Sequence, residues 1–474
     1  MANKVVTEAK INGQNQEVLD APTYFLSLTI ENVRCFGPKQ TLDLSNRRGR
    51  PAQWTIILGD NGVGKTTLLQ AISLIVPVRD PSFGEFMKTL PNATLKWPEL
   101  FSKPTDDLTY PRFVSSDSNL ALPKLIYKKK SLAIIGTLFL GKLLAANKED
   151  YSTHAFFIAR VQGQFAHSVE EERFRSVVCF GYGASRRMGK GSLSGNDEDE
   201  PFASLFVDDV ALLNAEEWLI QADYAAHITK GASAKKRTEK RRDEIKEVLI
   251  KLLPDVDDIR FSRLNKRRLK PSVEVKTPYG WVSIQDLSLG YKSLIAWMVD
   301  FASRMFDQYP DSENPLAEPA VVLVDEIDLH LHPKWQRTLM SYLSERFPNT
   351  QFIATAHSPL VVQAAQDANI VLLRRDGDHV VIENNVEAVR NWRVDQILTS
   401  DLFGLESARP PETDKLLAER TKILSKARLT KKDREKLKKL EEEIGSLPTG
   451  ETPDEIEAMD VIRRAAERLK AEGY

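Results

Sequence analysis

The sequence predicts an α/β fold, and three observations carry that prediction. Strand-like and helical stretches alternate near both ends of residues 24–382. A glycine-rich loop stands between a short β-rich run at 54–58 (WTIIL) and a helical stretch at 66–76. An apolar run at 321–324 (VVLV) ends in two adjacent acids. A buried parallel strand reads this way where its carboxyl end meets a site.

In chain order, residues 1–21 form a polar lead-in. Residues 24–32 (YFLSLTIEN) alternate and predict a strand. The helix at 66–76 carries Leu68, Leu69, Ile72 and Ile75 at helical spacing. Residues 77–125 have no steady period and recurrent prolines, and predict a loop-rich insertion. Strands are expected at 131–140, 155–161 and 175–180, and helices at 214–224 and 237–253. Residues 259–264 and 272–276 read as strands around a basic turn, 265–270. A helix at 291–306, the strand at 321–324, a helix at 334–346 and a strand at 351–354 follow. Residues 370–375 and 379–382 form a hairpin around Asp376-Gly377. From 410 onward the chain is charged and helical, with Leu437, Leu440 and Ile444 as a thin apolar stripe. Thr452-Pro453-Asp454-Glu455 reads as a helix start.

Composition bounds the function. The chain has 474 residues, 42% apolar and 28% charged, with net charge −1. A near-neutral total gives no whole-protein case for nucleic acid, so such a case rests on local patches. Two run together: Lys235, Lys236, Arg237, Lys240, Arg241 and Arg242, and then Lys266, Arg267, Arg268 and Lys270. The only cysteines, Cys35 and Cys179, form neither a metal pattern nor a disulfide framework, which fits a reducing, cytoplasmic setting. The longest apolar stretch, 132–146, is interrupted by Lys142 and two glycines and is too short to span a bilayer.

Four segments carry chemistry. Gly59-Asp60-Asn61-Gly62-Val63-Gly64-Lys65-Thr66, followed by Thr67, fits the phosphate-binding loop G-x-x-x-x-G-K-[ST] between the strand and helix that pattern requires. Its glycines let the backbone curl so that N–H groups meet phosphate oxygens at a helix N-terminus. Lys65 then reaches the β- and γ-phosphates of ATP, and Thr66 turns its hydroxyl to Mg2+. Asp325 and Glu326 close the apolar strand. Asp325 suits magnesium, and Glu326 suits the general base that polarises water. Leu287-Ser288-Leu289-Gly290-Tyr291-Lys292 precedes a helix, with Ser288 as a plausible N-cap. Thr355-Ala356-His357-Ser358-Pro359 follows the next strand. Between the last two, His330 and His332 sit two apart with no third ligand nearby. That is a weak metal pattern, and they read instead as part of a shaping loop.

These segments, in this order, resemble the RecF/SMC-like branch of ABC ATPases. GDNGVGKTT, DEIDLHLHPKWQ and ATAHSP most resemble bacterial anti-phage defence ATPases, the Septu and PARIS types being nearest. The resemblance covers roughly 24–78 and 282–407. It implies an ABC ATPase head, a mixed sheet with flanking helices, carrying an inserted α+β lobe and a helical C-terminal tail. The corresponding boundaries are 22–80 for the first part of the ATPase lobe, 81–280 for the insertion and 281–408 for the signature, acidic strand and switch. Residues 409–474 form the tail, read as a partner-docking segment. The resemblance further implies that Ser288 and Gly290 face the γ-phosphate held by a second copy, giving two composite sites in a head-to-head dimer. It also implies that Asp328 lies in the cross-dimer loop, that His357 contacts the γ-phosphate, and that Arg34 lies near the nucleotide. Gln162, Gln164 and residues 181–187 (GYGASRR) all remain candidates for the loop between the lobes.

Three functions compete on this reading. The first is a sensor or regulatory ATPase in anti-phage defence with a separate effector, expected to be a nuclease. The second is a RecF-like DNA-repair ATPase. The third is a transporter ATPase subunit, disfavoured by the long separation of Lys65 from Asp325. No acidic cluster after His357 suits a fused nuclease, so a cutting activity would reside in another chain.

Overall fold

This computed structural model describes residues 24–30, 33–74, 112–119, 133–144, 151–161, 178–189, 201–262, 271–384, 386, 389, 392–426 and 430–444. The chain divides into two compact units, Met1–Ile397 and Leu398–Tyr474.

The first unit begins with β1 (Ser27–Ile30), β2 (Gln40–Asp43) and β3 (Trp54–Gly59), then helix α1 (Lys65–Leu74). Strands β4 (Arg112–Asn119), β5 (Ala133–Leu144) and β6 (Tyr151–Val161) follow, then β7 (Cys179–Tyr182). Helices α2 (Ala203–Phe206), α3 (Ala215–Ile228) and α4 (Ala232–Leu252) lead to β8 (Asp258–Phe261), β9 (Val273–Thr277) and β10 (Gly280–Ser283). Helix α5 (Leu289–Gln308), β11 (Ala320–Val324), α6 (Pro333–Arg346), β12 (Thr350–Thr355), α7 (Pro359–Ala364), β13 (Asn369–Asp376) and β14 (His379–Glu383) follow.

One sheet organises this unit. Its order is β14-β13-β3-β12-β11-β7, with β14 antiparallel and the other five parallel. Parallel neighbours bring every carboxyl end to one edge, which is where ligands meet open α/β sheets. Strand β11 (AVVLV) and strand β12 (TQFIAT) are buried along their whole length. Burial on both faces of a parallel sheet explains the unbroken apolar run of β11, while β12 also buries Thr350, Gln351 and Thr355. Trp54 stacks on Phe352 across β3 and β12 at 4.3 Å, and its indole N–H donates to Ser344 Oγ at 2.7 Å.

Helix α5 is the main cover. It is apolar around most of its circumference, with Leu294, Ile295, Trp297, Met298, Val299, Phe301, Met305 and Phe306 buried. A helix of that kind belongs inside a protein. Each such side chain contributes roughly 1.5–3 kcal/mol on leaving water. Phe301 meets Phe347 at 4.7 Å, Phe180 at 5.9 Å and Phe352 at 6.4 Å, so the helix registers against three elements at once. Its one buried acid, Asp300, accepts from the Tyr182 hydroxyl at 2.9 Å, Arg304 Nε at 2.7 Å and the Leu213 amide at 3.4 Å. A buried carboxylate survives only when paired and hydrogen-bonded in this way.

Two smaller sheets flank the core. One runs β2-β1-β4-β5-β6 and is antiparallel throughout. Strand β4 lies inside the stretch expected to be loop, a correction to the sequence reading. Its RFVSSDSN string carries few apolar residues, and only pairing with β1 and β5 makes it a strand. The other sheet, β10-β9-β8, is an antiparallel meander. The hairpin at Asp376-Gly377 forms as expected, with Asp376 opposite His379 and Gly377 at φ +58.

The basic stretch of α4 is engaged within the chain. Arg241 pairs with Asp307 and lies over the Phe306 ring. Arg242 reaches Asp223 at 3.2 Å and Asp243 at 2.8 Å, and Arg237 faces Asp311 at 3.8 Å. Lys235 and Lys240 face Glu239 and Glu244 one turn on, at 3.9 and 3.8 Å. These intramolecular ion pairs offset much of the charge of the first basic patch. The second patch, Lys266 to Lys270, lies outside the described residues, as do Gln162, Gln164, the lead-in and the helix start at Thr452.

The second unit holds helices α8 (Pro411–Leu424) and α9 (Lys431–Ile444). Ile423, Leu437 and Leu440 are buried together, with Leu416 and Ile444 against them. Lys436 pairs with Glu419, and Arg420 faces Glu441 at 3.5 Å. The thin stripe read from the sequence is thus the seam of a helical hairpin. Among the described residues, no helix is long and apolar enough to cross a membrane.

The Asp300 cluster yields the first expectation. Asp300→Ala removes the shared acceptor of Tyr182 and Arg304 inside the core and should destabilise the fold by about 3 kcal/mol. Tyr182→Phe deletes one donor and should cost only about 1 kcal/mol. Denaturant midpoints of the two variants measure this. Equal shifts would mean that Asp300 does not hold the cluster.

Candidate functional site

The phosphate loop takes the form its glycines allow. Gly59, Gly62 and Gly64 have φ of +141, +80 and +90, values that side chains rarely tolerate. A Cβ on Gly64 would lie 2.5 Å from Cys35 Sγ, and one on Gly59 would lie 2.6 Å from the Leu373 carbonyl oxygen. The loop therefore lies tight against its surroundings at both ends, while Gly62 has open space beside it. Helix α1 starts at Lys65, so the loop's amides stand at a helix N-terminus. Lys65 Nζ donates to the carbonyls of Gly59 and Asp60, both at 2.8 Å. Burial pulls this ammonium below the usual lysine range, and the carboxylates of Asp325, Glu326, Asp60 and Asp328 pull it back up.

The acidic strand end lies directly beside the loop. Thr66 Oγ1 donates to Asp325 Oδ2 at 2.6 Å, and Thr355 Oγ1 donates to Asp325 Oδ1 at 2.6 Å. The same Thr355 hydroxyl accepts from the Glu326 amide at 2.7 Å. The start of α1 and the ends of β11 and β12 are thus joined through one carboxylate. Glu326 sits at φ +48. A non-glycine residue there is uncommon and costs on the order of 1 kcal/mol or more, so its neighbours must impose it. A hydroxyl and a carboxylate in contact are hard oxygen donors of the kind magnesium takes. The residues present therefore fit a Mg2+ ion held by Thr66 and Asp325.

The loop after Glu326 is bound to the switch segment. The His357 amide donates to Asp328 Oδ2 at 3.0 Å. Gln336 Nε2 donates to the Asp328 and Leu331 carbonyls at 3.3 and 3.1 Å, and Gln336 Oε1 accepts from Ser358 Oγ at 2.6 Å. His332 caps α6, its Nδ1 accepting from the Lys334 amide at 3.3 Å. The structure thus gives His332 a capping role in the loop. His330 has φ +64, and a Cβ on Gly290 would come within 2.4 Å of its carbonyl oxygen. The signature segment consequently lies against this same loop. Ser288 holds the N-cap position of α5 but makes no side-chain cap bond, and both it and Leu289 are exposed. Helix capping thus accounts for the backbone at Ser288 and leaves its hydroxyl unexplained. Arg34, at φ +46, donates to Thr67 Oγ1 at 3.2 Å and Gln70 Oε1 at 3.5 Å, on the first turns of α1.

One residue of the site belongs to no motif read from the sequence. Arg186 is 3% exposed, and its guanidinium donates to the carbonyls of Asp325, Glu326 (2.7 Å) and Gly183 (3.2 Å). Burial lowers its pKa to about 10, against the pull of the Asp325, Asp328 and Glu326 carboxylates. Residues 181–187 stood among the candidates for an inter-lobe loop. The available signal was two adjacent arginines after a Gly-rich strand end, and it did not say which arginine turns inward.

Comparison with known proteins agrees with this geometry. A family described as "AAA domain, putative AbiEii toxin, Type IV TA system" matches residues 192–363, and an AAA domain matches residues 27–82. The Septu protein PtuA of Bacillus mycoides is 25% identical over 406 residues, covering 85% of this chain and 48% of that one. The Retron Vc95 probable ATPase of Vibrio cholerae is 41% identical over 132 residues, covering 27% of this chain and 24% of that one. The chain thus spans about half or less of the length of these curated relatives. A solved SMC head, bound to the C-winged helix domain of ScpA, is 18% identical with a TM-score of 0.45, covering 76% of this chain and 97% of that one. The phosphate loop falls within the AAA-domain match at 27–82, and the signature, acidic strand and switch fall within the match at 192–363, so the segments gathered at one edge of this sheet are similar to those of AAA-domain ATPases.

Proposed function

We propose that this chain binds and hydrolyses ATP as a head-to-head dimer and serves as the sensor or regulatory subunit of an anti-phage defence system whose effector is a separate nuclease. The observation that carries the catalytic part is the contact of Thr66 and Asp325 beside Lys65 and Glu326. The loop amides and the Lys65 ammonium receive the phosphates, and Lys65 exchanges its two carbonyl contacts for phosphate oxygens. Thr66 and Asp325 would hold a Mg2+ ion, which would supply positive charge against the phosphates. Glu326 accepts the proton of the attacking water. His357, whose main chain Asp328 holds, contacts the γ-phosphate, and Arg34, hydrogen-bonded to the first turns of α1, flanks the nucleotide.

The dimer is supported by the exposed Ser288 and Leu289 beside the Asp328 loop, a surface whose hydroxyl serves no local purpose. The defence role is supported by similarity to a Septu protein across most of this chain. In that setting ATP-driven closure changes shape, and something else must read the shape. The tail, 409–474, is the segment we assign to that reader. The RecF-like alternative leans on basic surface, and most of the basic residues of α4 are in ion pairs.

Three outcomes test this. Lys65→Ala should weaken nucleotide binding measured by titration, because the Lys65 charge faces the β- and γ-phosphates. Glu326→Gln should bind ATP, hydrolyse it about a hundred-fold more slowly or worse, and accumulate a dimer in sedimentation. Parental turnover by Glu326→Gln would remove it as the base. Next, mixing Lys65→Ala with Ser288→Arg chains should restore hydrolysis, because each heterodimer regains one intact site. A silent mixture with heterodimers demonstrated would count against a signature acting in trans. Finally, ending the chain at Ala408 should preserve ATP binding and lose co-purification of the nuclease encoded beside it. Retained co-purification would move the docking surface elsewhere.

A further inference from the structure

We propose that Arg186 is a positioning residue that holds the Glu326 backbone in its working conformation and ties it to the signature helix. The inference rests on the ATPase reading above.

A buried arginine ordinarily finds a carboxylate. The hydrogen bonds of Arg186 go instead to three main-chain carbonyls, those of Gly183, Asp325 and Glu326. Two of these belong to the residues assigned to magnesium and to the base. Glu326 has a left-handed backbone and is gripped on both sides: Thr355 Oγ1 holds its amide, and Arg186 holds its carbonyl. Its side-chain direction follows from that peptide geometry.

Arg186 is itself anchored to α5. Its carbonyl accepts from Ser293 Oγ at 3.2 Å, about one turn beyond the signature Gly290. Its guanidinium lies 5.7 Å from the centre of the Trp297 ring on the next turn of the same helix. A continuous physical link therefore runs from α5 through Arg186 to the Glu326 carbonyl. Among the described residues, its hydrogen-bond partners include no member of the phosphate loop, so its loss should act on turnover and spare nucleotide binding. Lysine cannot replace it. A single ammonium on a flexible stem lacks the planar fork that spans separate acceptors.

The test uses the full-length chain. Arg186→Lys should lower kcat by about ten- to a hundred-fold, the scale of a misaimed catalytic group. The Kd of a fluorescent ATP analogue should stay near the parental value, while the melting temperature falls because buried carbonyls lose a donor. Parental kcat in a folded Arg186→Lys chain overturns the inference. So does an equal loss in kcat and nucleotide affinity, which a general structural defect would produce. If Arg186→Lys does not fold, Ser293→Ala decides. It removes only the anchoring hydroxyl and should reduce kcat several-fold at constant Kd, and unchanged kcat would refute the link. The ATPase reading fails separately, if the parent chain does not hydrolyse ATP or if Lys65→Ala binds it as well as the parent.

Discussion

Everything at the site depends on the two oxygens of Asp325. One accepts from Thr66 at the start of α1, the other from Thr355 at the end of β12, both at 2.6 Å. Three chain segments far apart in sequence are joined through a single carboxylate. The joint forms only because β3, β12 and β11 run parallel and adjacent, so that their carboxyl ends arrive together. A sheet built in another order would keep every motif and lose the site. The buried cover, especially α5 with its Phe301 contacts, contributes by holding that order.

Around this joint, backbone and side chain exchange roles. Asp328 uses its carboxylate to hold the main chain of His357, and Gln336 uses its amide to hold the main chain of the Asp328 loop. The left-handed residues Glu326 and His330 lie in the same short segment. Such conformations persist only when neighbours over-determine them, and they concentrate at working sites. The loop between the acidic strand and α6 is therefore built as a shaped surface, and the buried face of Gly290 rests directly on it.

Much of this was legible in the residues. Glycine spacing before Lys65, four apolar residues before Asp325 and a proline after Ser358 are local signals with local causes, and the elements formed where those signals stood. Helix α5 began two residues earlier than its apolar period suggested, because Ser288 starts the turn from outside the stripe. What stayed hidden was non-local. Strand β4 is a strand only through β1 and β5, and RFVSSDSN carries little preference of its own. Arg186 and Arg187 look alike in sequence, and only the fold's contacts, three main-chain carbonyls and the Trp297 ring, distinguish the first. The basic stretch of α4 read as an open charged face because its acidic partners, Asp223, Asp307 and Asp311, lie on other segments.

The hairpin of α8 and α9 has a consequence for how anything could adhere to it. Most of its apolar side chains already face each other, Leu424 being exposed, and the remaining surface is dense in lysine, arginine, aspartate and glutamate. A protein settling there would find little oil to cover and many counter-charges to match. Recognition of that kind is fast to form, tolerant of small shifts in shape, and weakened by salt, since charges more than about 10 Å apart are largely screened at 0.1 M ionic strength. Such an attachment would grip at cellular ionic strength and let go in a concentrated wash.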